Sequence, residues 1–295
     1  MGLSRRRFLA STTLLGVAAV AGCTTTVSGR ALPNPVDLRR IQESTPAPGG
    51  LDTVTVGIIA FEPYTVGTGA DIKGPIPDVA RKVLTDLGSA EVRFLLLNDQ
   101  EKILAALLAG QIDVAGGLVL QPDKCHNLSF SDPDFVSGTA FAVPVGNPKG
   151  LKTYADVAAQ SAKLAVLTGS PEETDATTAG VPAGSILRIL DPAALLAAVR
   201  DGQADCFAFD DISLRHMVKT QGQGLDVAAA FMPANRPPFV GAYGFPRDSQ
   251  AVEPFNEGLK ELHDSGEWLR MVEPFEFNEG NEPPADLTTQ KACGE

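Results

Sequence analysis

From residue 54 onward the chain alternates two hydrophobic rhythms. Val54, Val56, Ile58 and Ile59 make a short β-branched run that predicts a strand over 54–59. A Gly- and Pro-rich turn follows. Residues 76–87 then read as a helix, with Pro77 in the first turn and Gly88 as the stop. A second strand is predicted over 92–97, a helix over 100–109 ending at Gly110, and a third strand over 112–115. Strand, helix, strand, helix, strand predicts an α/β unit with a mostly parallel sheet covered on both faces.

The same order returns later, with strands over 163–167, 186–189 and 206–209 and helices over 171–179 and 192–200. The halves also echo each other in residues. Ala105-Ala106-Leu107-Leu108-Ala109-Gly110-Gln111-Ile112-Asp113 resembles Ala197-Ala198-Val199-Arg200-Asp201-Gly202-Gln203-Ala204-Asp205. In each, a Gly stops a helix and a turn leads into an inner strand. Two lobes of like construction are therefore expected. Extended apolar runs at 140–145 and 240–246 read as two strands crossing between them. On this reading 51–140 and 247–295 build the first lobe and 147–238 the second, with crossovers at 141–146 and 239–246. Helices over 249–265 and 267–272 finish the first lobe. Two crossovers make a hinge, and a hinge between lobes leaves a cleft that can shut.

Ahead of this body, Ser4-Arg5-Arg6-Arg7-Phe8-Leu9 precedes an apolar run at 14–21. That run is far shorter than the roughly 20 residues a spanning helix needs. A charged start, a short apolar middle and small residues at the end mark a secretory signal, and the paired arginines with Phe-Leu point to the twin-arginine route. Val20-Ala21-Gly22-Cys23 fits a lipoprotein cleavage site, with Cys23 taking the lipid. Anchoring by more than one acyl chain is stable. Residues 1–22 are expected to be a signal peptide. Residues 23–50, rich in Thr, Pro, Ser and Gly, are expected to be a flexible tether. The remainder is long enough for two small lobes.

Formal net charge is −12 for the whole chain; without the three arginines of 1–22 it is −15, with 21 Lys and Arg against 36 acids. An acidic surface argues against nucleic acid and against an anionic membrane face as partners. Four cysteines include no C-x-x-C pair, and only three histidines are present. No metal site and no cofactor are expected. No Ser-His-Asp order and no nucleotide loop appear, so a binding protein rather than an enzyme is expected. Thr168-Gly169-Ser170 precedes the helix that starts at Pro171, where free backbone N–H groups suit a carboxylate and Ser170 also suits an N-cap. Gly117, Gly138 and Thr139 are candidates to line the cleft through backbone or hydroxyl groups. Cys206, inside an apolar strand, is expected to be a buried thiol.

Several segments, in order and spacing, resemble family 3 bacterial solute-binding proteins of the polar amino-acid and opine type. They are Phe61-Glu62-Pro63-Tyr64, Gly74-x-x-Pro77-Asp78-Val79-Ala80, Gly110-Gln111-x-Asp113, Pro122-Asp123-Lys124, Phe130-Ser131-Asp132-Pro133 and Gly202-x-x-Asp205. The chain is also similar to the ectoine/hydroxyectoine-binding subfamily. That likeness lies in Gly74-Pro75-Ile76-Pro77-Asp78-Val79-Ala80, Cys125 after Pro-Asp-Lys, Ser131-Asp132-Pro133-Asp134-Phe135, Val143-Pro144-Val145-Gly146-Asn147-Pro148-x-Gly150-Leu151 and Asp286-Leu287-Thr288-Thr289-x-x-x-Cys293. The resemblance implies a two-lobed type II periplasmic-binding-protein fold, with two mixed sheets joined by two crossover strands around a ligand cleft. It implies a monomer that passes a small zwitterionic solute to an ABC permease from outside the cell, moored to the membrane only by its lipid.

The resemblance also implies site roles. Phe61 and Tyr64 would place rings over the ligand, and Asp210 would pair with a ligand ammonium, with Asp211 beside it as a competitor and helix capping the alternative role for either. Lys124 stands where the family usually has Arg, so it offers a carboxylate a point charge and not a planar fork. Gln100 and Val119 stand at two places where the ectoine subfamily has aromatic residues. Cys125 and Cys293 are a disulfide candidate tying the tail to the first lobe. The alternatives are a ligand-sensing receptor of the same fold and a cyclohexadienyl-dehydratase-like enzyme, for which Glu62 and Asp210 are the available carboxylates.

Overall fold

A computed structural model describes residues 53–294 apart from 98 and 235. The expected signal peptide, the lipidated Cys23 and the tether lie outside the described residues.

Strand β1 (Thr53–Ile59) alternates through the first core and leads to α1 (Pro75–Asp86). Pro75 at the first helical position lacks only an N–H that would be unpaired there. The Asp78 carboxylate accepts the Gly74 N–H at 2.9 Å and closes the helix start. Helix α1 buries Ile76, Val79, Ala80, Val83 and Leu84, a three-and-four spacing that makes one apolar face. β2 (Glu91–Leu97) follows, then α2 (Gln100–Leu108), capped by the Asp99 carboxylate on the Lys102 N–H at 2.8 Å. β3 (Val114–Val119), the short α3 (Pro122–Cys125), β4 (Leu128–Phe130) and β5 (Phe135–Ser137) complete the first pass.

The second lobe comprises β6 (Thr139–Pro144), α4 (Tyr154–Gln160), β7 (Leu164–Leu167), α5 (Pro171–Thr178), β8 (Ile186–Ile189), α6 (Pro192–Arg200), β9 (Cys206–Asp210), α7 (Asp211–Gln221) and β10 (Leu225–Val227). The chain returns through β11 (Phe239–Pro246) to α8 (Val252–Asp264), α9 (Glu267–Val272) and α10 (Thr289–Cys293). Phe255, Leu259, Leu262 and Trp268 from the returning helices share one core with Val54, Val56, Ile58 and Val79.

The first sheet runs β2-β1-β3-β11-β4, with β5 also on β11; the second runs β10-β6-β9-β7-β8. In each, the first three strands of a half lie parallel in the order second, first, third. A fourth strand then joins antiparallel, the one that directly follows a switch between sheets: β11 beside β3, β6 beside β9. Both sheets are therefore mixed, and each is covered on both faces, the first by two apolar clusters and the second by two more. The residue echo has a structural counterpart. Gly110 (φ 67°) and Gly202 (φ 72°) end their helices in the left-handed region that favours Gly. The following N–H of Gln111 closes on Ala106 O and that of Gln203 on Ala198 O, both at 2.8 Å. Asp113 then exchanges two 2.8 Å hydrogen bonds with the Thr55 backbone, and Asp205 does the same with Lys163.

Three features differ from the sequence expectation. The chain does not cross between sheets within 141–146 or 239–246: β6 lies wholly in the second sheet and β11 in the first. The outward switch falls at Gly138, between β5 and β6, and the return falls between Phe231, bridged to Thr139, and Phe239, paired with Ser137. Ser137, Gly138 and Thr139 interrupt the apolar run at the switch, while the chain stays buried on both sides of it. What marks it is Gly138, where a Cβ would meet the Phe231 carbonyl oxygen at 2.8 Å. The third strand is 114–119, not 112–115, because Gly116 and Gly117 interrupt its apolar pattern. Helices α3, α4, α7 and α10 and strands β4, β5 and β10 add to the expected elements.

Candidate functional site

In open α/β sheets ligands bind outside the carboxyl ends of the strands. Here those ends carry the Phe61–Tyr64 turn after β1, the Thr168–Ser170 turn after β7 and Asp210 closing β9. The structure joins the first of these to the last. Tyr64 Oη donates to Asp210 Oδ1 at 2.8 Å, across the two lobes. The Tyr64 ring is fixed by Phe135 at 5.5 Å and by the edge of Phe277 at 5.7 Å. Phe61 stacks on it at 5.9 Å, 12° from parallel, and is itself 49% exposed. The pair forms a short aromatic shelf with one face open to a guest.

Asp210 has a second task. Its Oδ1 also accepts the Ser213 N–H at 2.9 Å and so caps α7. It keeps some solvent contact, yet its carboxyl sits among enough protein atoms that burial pushes its pKa up, against the hydrogen bonds from Ser213 and Tyr64. Burial, then the adjacent Asp210 charge, holds the Tyr64 phenol well above its usual range. An acid held this way gains from a cation placed beside it.

The remaining sequence-predicted residues are distributed around this junction. Thr139 lies opposite Asp210 in the β6–β9 register and is fully buried, its hydroxyl accepting from Arg236 Nη2 at 3.2 Å. Thr168 Oγ1 donates to the Ile189 carbonyl at 3.2 Å, and the Gly169 N–H to the Glu173 carboxylate at 2.9 Å. The start of α5 is thus matched by the chain's own acids, Glu172 and Glu173. Ser170 Oγ is buried without a hydrogen-bond partner. Gly117 has φ 67°, and a Cβ there would meet Ile76 Cδ1 at 2.1 Å, so only Gly fits against α1. Lys124 Nζ donates to Gln100 Oε1 at 2.5 Å on the first lobe. Cys125 and Cys293 are joined by a disulfide with Cα atoms 6.0 Å apart, bringing α10 against α3. Cys206 is a buried free thiol.

Sequence reasoning missed two polar groups. On the second lobe, Arg236 Nε donates to Asp175 at 2.8 Å, its guanidinium lies 4.2 Å over the Phe239 ring, and Glu172 lies beside it. The i, i+3 acids Glu172 and Asp175 on one helix face were the available signal. At the hinge, buried Asp211 accepts from Gly138 N–H, Arg215 and Asn281, while Arg215 also reaches Glu276 O and Asn281 Oδ1. A cavity of about 390 Å³ opens there, lined by Asp211, Arg215, residues 227–230, Asn278 and Gly280. None of the sequence-predicted site residues lines it, although Asp211 directly follows Asp210 at the end of β9. Two of the sequence-predicted residues, Tyr64 and Asp210, meet directly at the junction of the lobes. Among the described residues no helix is long and apolar enough to cross a membrane, and no group of His, Cys, Asp and Glu is arranged to hold a metal ion.

Two mixed sheets of matching order, joined by a pair of crossing segments with polar and aromatic groups meeting between them, define a type II periplasmic binding protein. Residues 54–279 match the model of the bacterial extracellular solute-binding proteins, family 3, and the chain belongs to that family. It is 28% identical over 254 residues to a probable amino-acid ABC transporter periplasmic-binding protein of Sinorhizobium fredii, covering 81% of this chain and 82% of that one. Among solved structures it is similar to EhuB in complex with hydroxyectoine, with 30% identity, 82% and 94% coverage and a TM-score of 0.58. It shares the fold of the L-cystine solute receptor of Neisseria gonorrhoeae, with 23% identity, 83% and 97% coverage and a TM-score of 0.64.

Proposed function

We propose that this chain is the solute-binding lipoprotein of an ABC importer, which encloses a small zwitterionic solute, a polar amino acid or an ectoine-type compatible solute, between its lobes. The observation that carries this reading is the Tyr64–Asp210 hydrogen bond, which gathers an aromatic shelf from one lobe and an acid from the other at the strand ends. In this reading the open form takes the solute on the first lobe, over Phe61 and Tyr64, with Lys124 facing the carboxylate. The second lobe turns about Gly138 and brings Asp210 to the ammonium. The solute shifts the balance by binding the closed form better than the open one, and the closed pair of lobes docks on the permease. Cys23 carries the lipid that keeps the protein on the outer face of the membrane.

A thermal-shift panel of common amino acids, glycine betaine, ectoine and hydroxyectoine tests this. At 100 times Kd a true ligand stabilises by about 2.7 kcal/mol, which moves the melting temperature by several degrees. Lys124→Ala and Asp210→Ala each lower the affinity of the best solute at least about tenfold, since a hydrogen bond to a charged group contributes about 1.5–3 kcal/mol. Both variants binding like wild type places the site elsewhere. Cys23→Ser moves the protein from the membrane fraction to the soluble one; unchanged fractionation contradicts the anchor.

A further inference from the structure

The following rests on the solute-binding reading above and concerns what regulates closure of the lobes. The turn after β1 meets α7 of the second lobe at two places. Tyr64 Oη donates to Asp210 Oδ1 at 2.8 Å, at the start of the helix. Glu62, two residues earlier, brings its Oε2 to 3.5 Å from Nε2 of His216. Asp210 and His216 are six positions apart, about 9 Å along a helix, so the turn runs beside the first two turns of α7. The near end of this line lies at the pivot: Asp211 accepts the Gly138 N–H at 2.9 Å, and Ile212 is buried in the first lobe's core. His216 is a full turn farther along the helix from Ile212. A rotation about Gly138 therefore moves His216 against Glu62 more than it moves Ile212 in its core.

The two contacts differ in kind. Tyr64 and Asp210 share a hydrogen bond of ordinary length. At 3.5 Å the Glu62–His216 contact is longer than a good hydrogen bond, so its strength comes from charge, which the imidazole carries only when protonated. Histidine side chains ordinarily titrate at about pH 6.5. The other charges around α7 have partners or lie farther off. Strands β6, β9 and β10 pack on it and bring Asp210 and Asp226, and Asp226 accepts the Gly146 N–H at 2.7 Å. On α7 itself Asp211 pairs with Arg215 at 2.7 Å, and Lys219 pairs with Glu276 of the segment that also carries Glu279. The turn after β1 adds Asp71 and Lys73, both exposed. Among the described residues, Glu62 is the one carboxylate within ion-pair distance of His216.

We propose that Glu62 and His216 form an acid-strengthened clasp between the lobes, so that the protein holds its solute more tightly as pH falls through the imidazole range. The closed form, which makes the contact, takes up a proton more readily than the open form. Proton and solute then favour each other's binding by one and the same factor. The clasp contributes fully below the imidazole range and is lost as pH rises through it.

Isothermal titration of the full chain tests this, using whichever of the common amino acids, glycine betaine, ectoine and hydroxyectoine stabilises it most. The readout is the ratio of affinity at about pH 5.5 to that at about pH 8, on either side of the imidazole range. This ratio is about two- to fivefold larger for wild type than for His216→Gln, the factor an exposed ion pair supplies. Glu62→Gln removes the same factor. His216→Lys, whose cation persists, binds at about pH 8 about two- to fivefold more tightly than wild type. Asp210 and the solute's own groups titrate in wild type and variants alike and drop out of the comparison. If His216→Gln fails to fold, Glu62→Gln decides. A ratio that these variants leave at the wild-type value overturns the clasp and leaves the solute-binding function standing. Binding of none of the solutes overturns both.

Discussion

At the scale of single residues, the buried acids carry most of the chemistry. Asp134, 2% exposed, accepts the Trp268 indole N–H at 2.9 Å, and burial pushes its pKa up to about 7. His263 Nε2 lies 4.0 Å from the same carboxylate, and burial holds that imidazole below its usual range. For Asp134 the folded state keeps a proton that the unfolded chain loses near pH 4, so its contribution to stability falls steadily from about pH 4 to about pH 7 and is flat above. Asp134→Asn retains an acceptor for Trp268 and removes that loss. The melting temperature of the variant therefore gains on wild type as pH rises from 4 to 8. A constant difference across that range contradicts the assignment.

Individual site residues were only partly legible in the sequence. Tyr64 and Asp210 stood out through the family resemblance, which puts a ring after the first strand and an Asp after the strand over 206–209. Helix capping was the alternative role read for Asp210, and the structure shows it: Asp210 caps α7, although the extent of that helix was not foreseen. Arg236 gave no signal, because it sits in a Pro-rich return segment where neither period applies. Its role depends on Asp175 and Thr139, 61 and 97 positions away.

Elements bounded by Pro and Gly were the most legible. α6 and α9 fall where punctuation placed them, and α1 and α5 within one residue. Those hidden from the pattern are short or polar outside: α4 is seven residues held by a capping box of Thr153 and Asp156, and α7 shows a mixed surface because its N-terminal end is buried between lobes. Ile212 of α7 packs into the first lobe's core, and Asp211 and Arg215 bind the 276–281 segment. The start of α7 thus belongs to both lobes and steadies the switch at Gly138. Arg215→Ala leaves Asp211 buried without its cation, a loss of about 3–5 kcal/mol. Urea unfolding measures it; a loss under about 1 kcal/mol means the network does not hold the hinge.

At the scale of the molecule, the two-lobed plan was readable because the chain writes it twice. The Gly-x-x-Asp turns at 110–113 and 202–205 share one hydrogen-bond pattern in two sheets of matching strand order. The place where one sheet yields to the other was misread because the apolar runs over 140–145 and 240–246 lie within one sheet each, while the break at Ser137-Gly138-Thr139 precedes the first. The Cys125–Cys293 disulfide spans 168 positions and fastens the last helix to the first lobe. Closing so long a loop restricts the unfolded chain, and removing such a bond typically costs about 2–5 kcal/mol. Cys293→Ser should lower denaturant stability within that range while solute affinity changes less than twofold, because the bond joins α3 to α10 within one lobe.

The central claim is that solute is held between the two lobes at the carboxyl ends of their strands. Hydrogen–deuterium exchange on protein saturated with its most stabilising solute tests this most directly. The account predicts slowed exchange in both lobes at once, at 61–65, 117–125 and 138–139 and at 168–173 and 210–213. Slowing confined to one lobe, or to residues 227–230 and 278–280 around the hinge cavity, contradicts it.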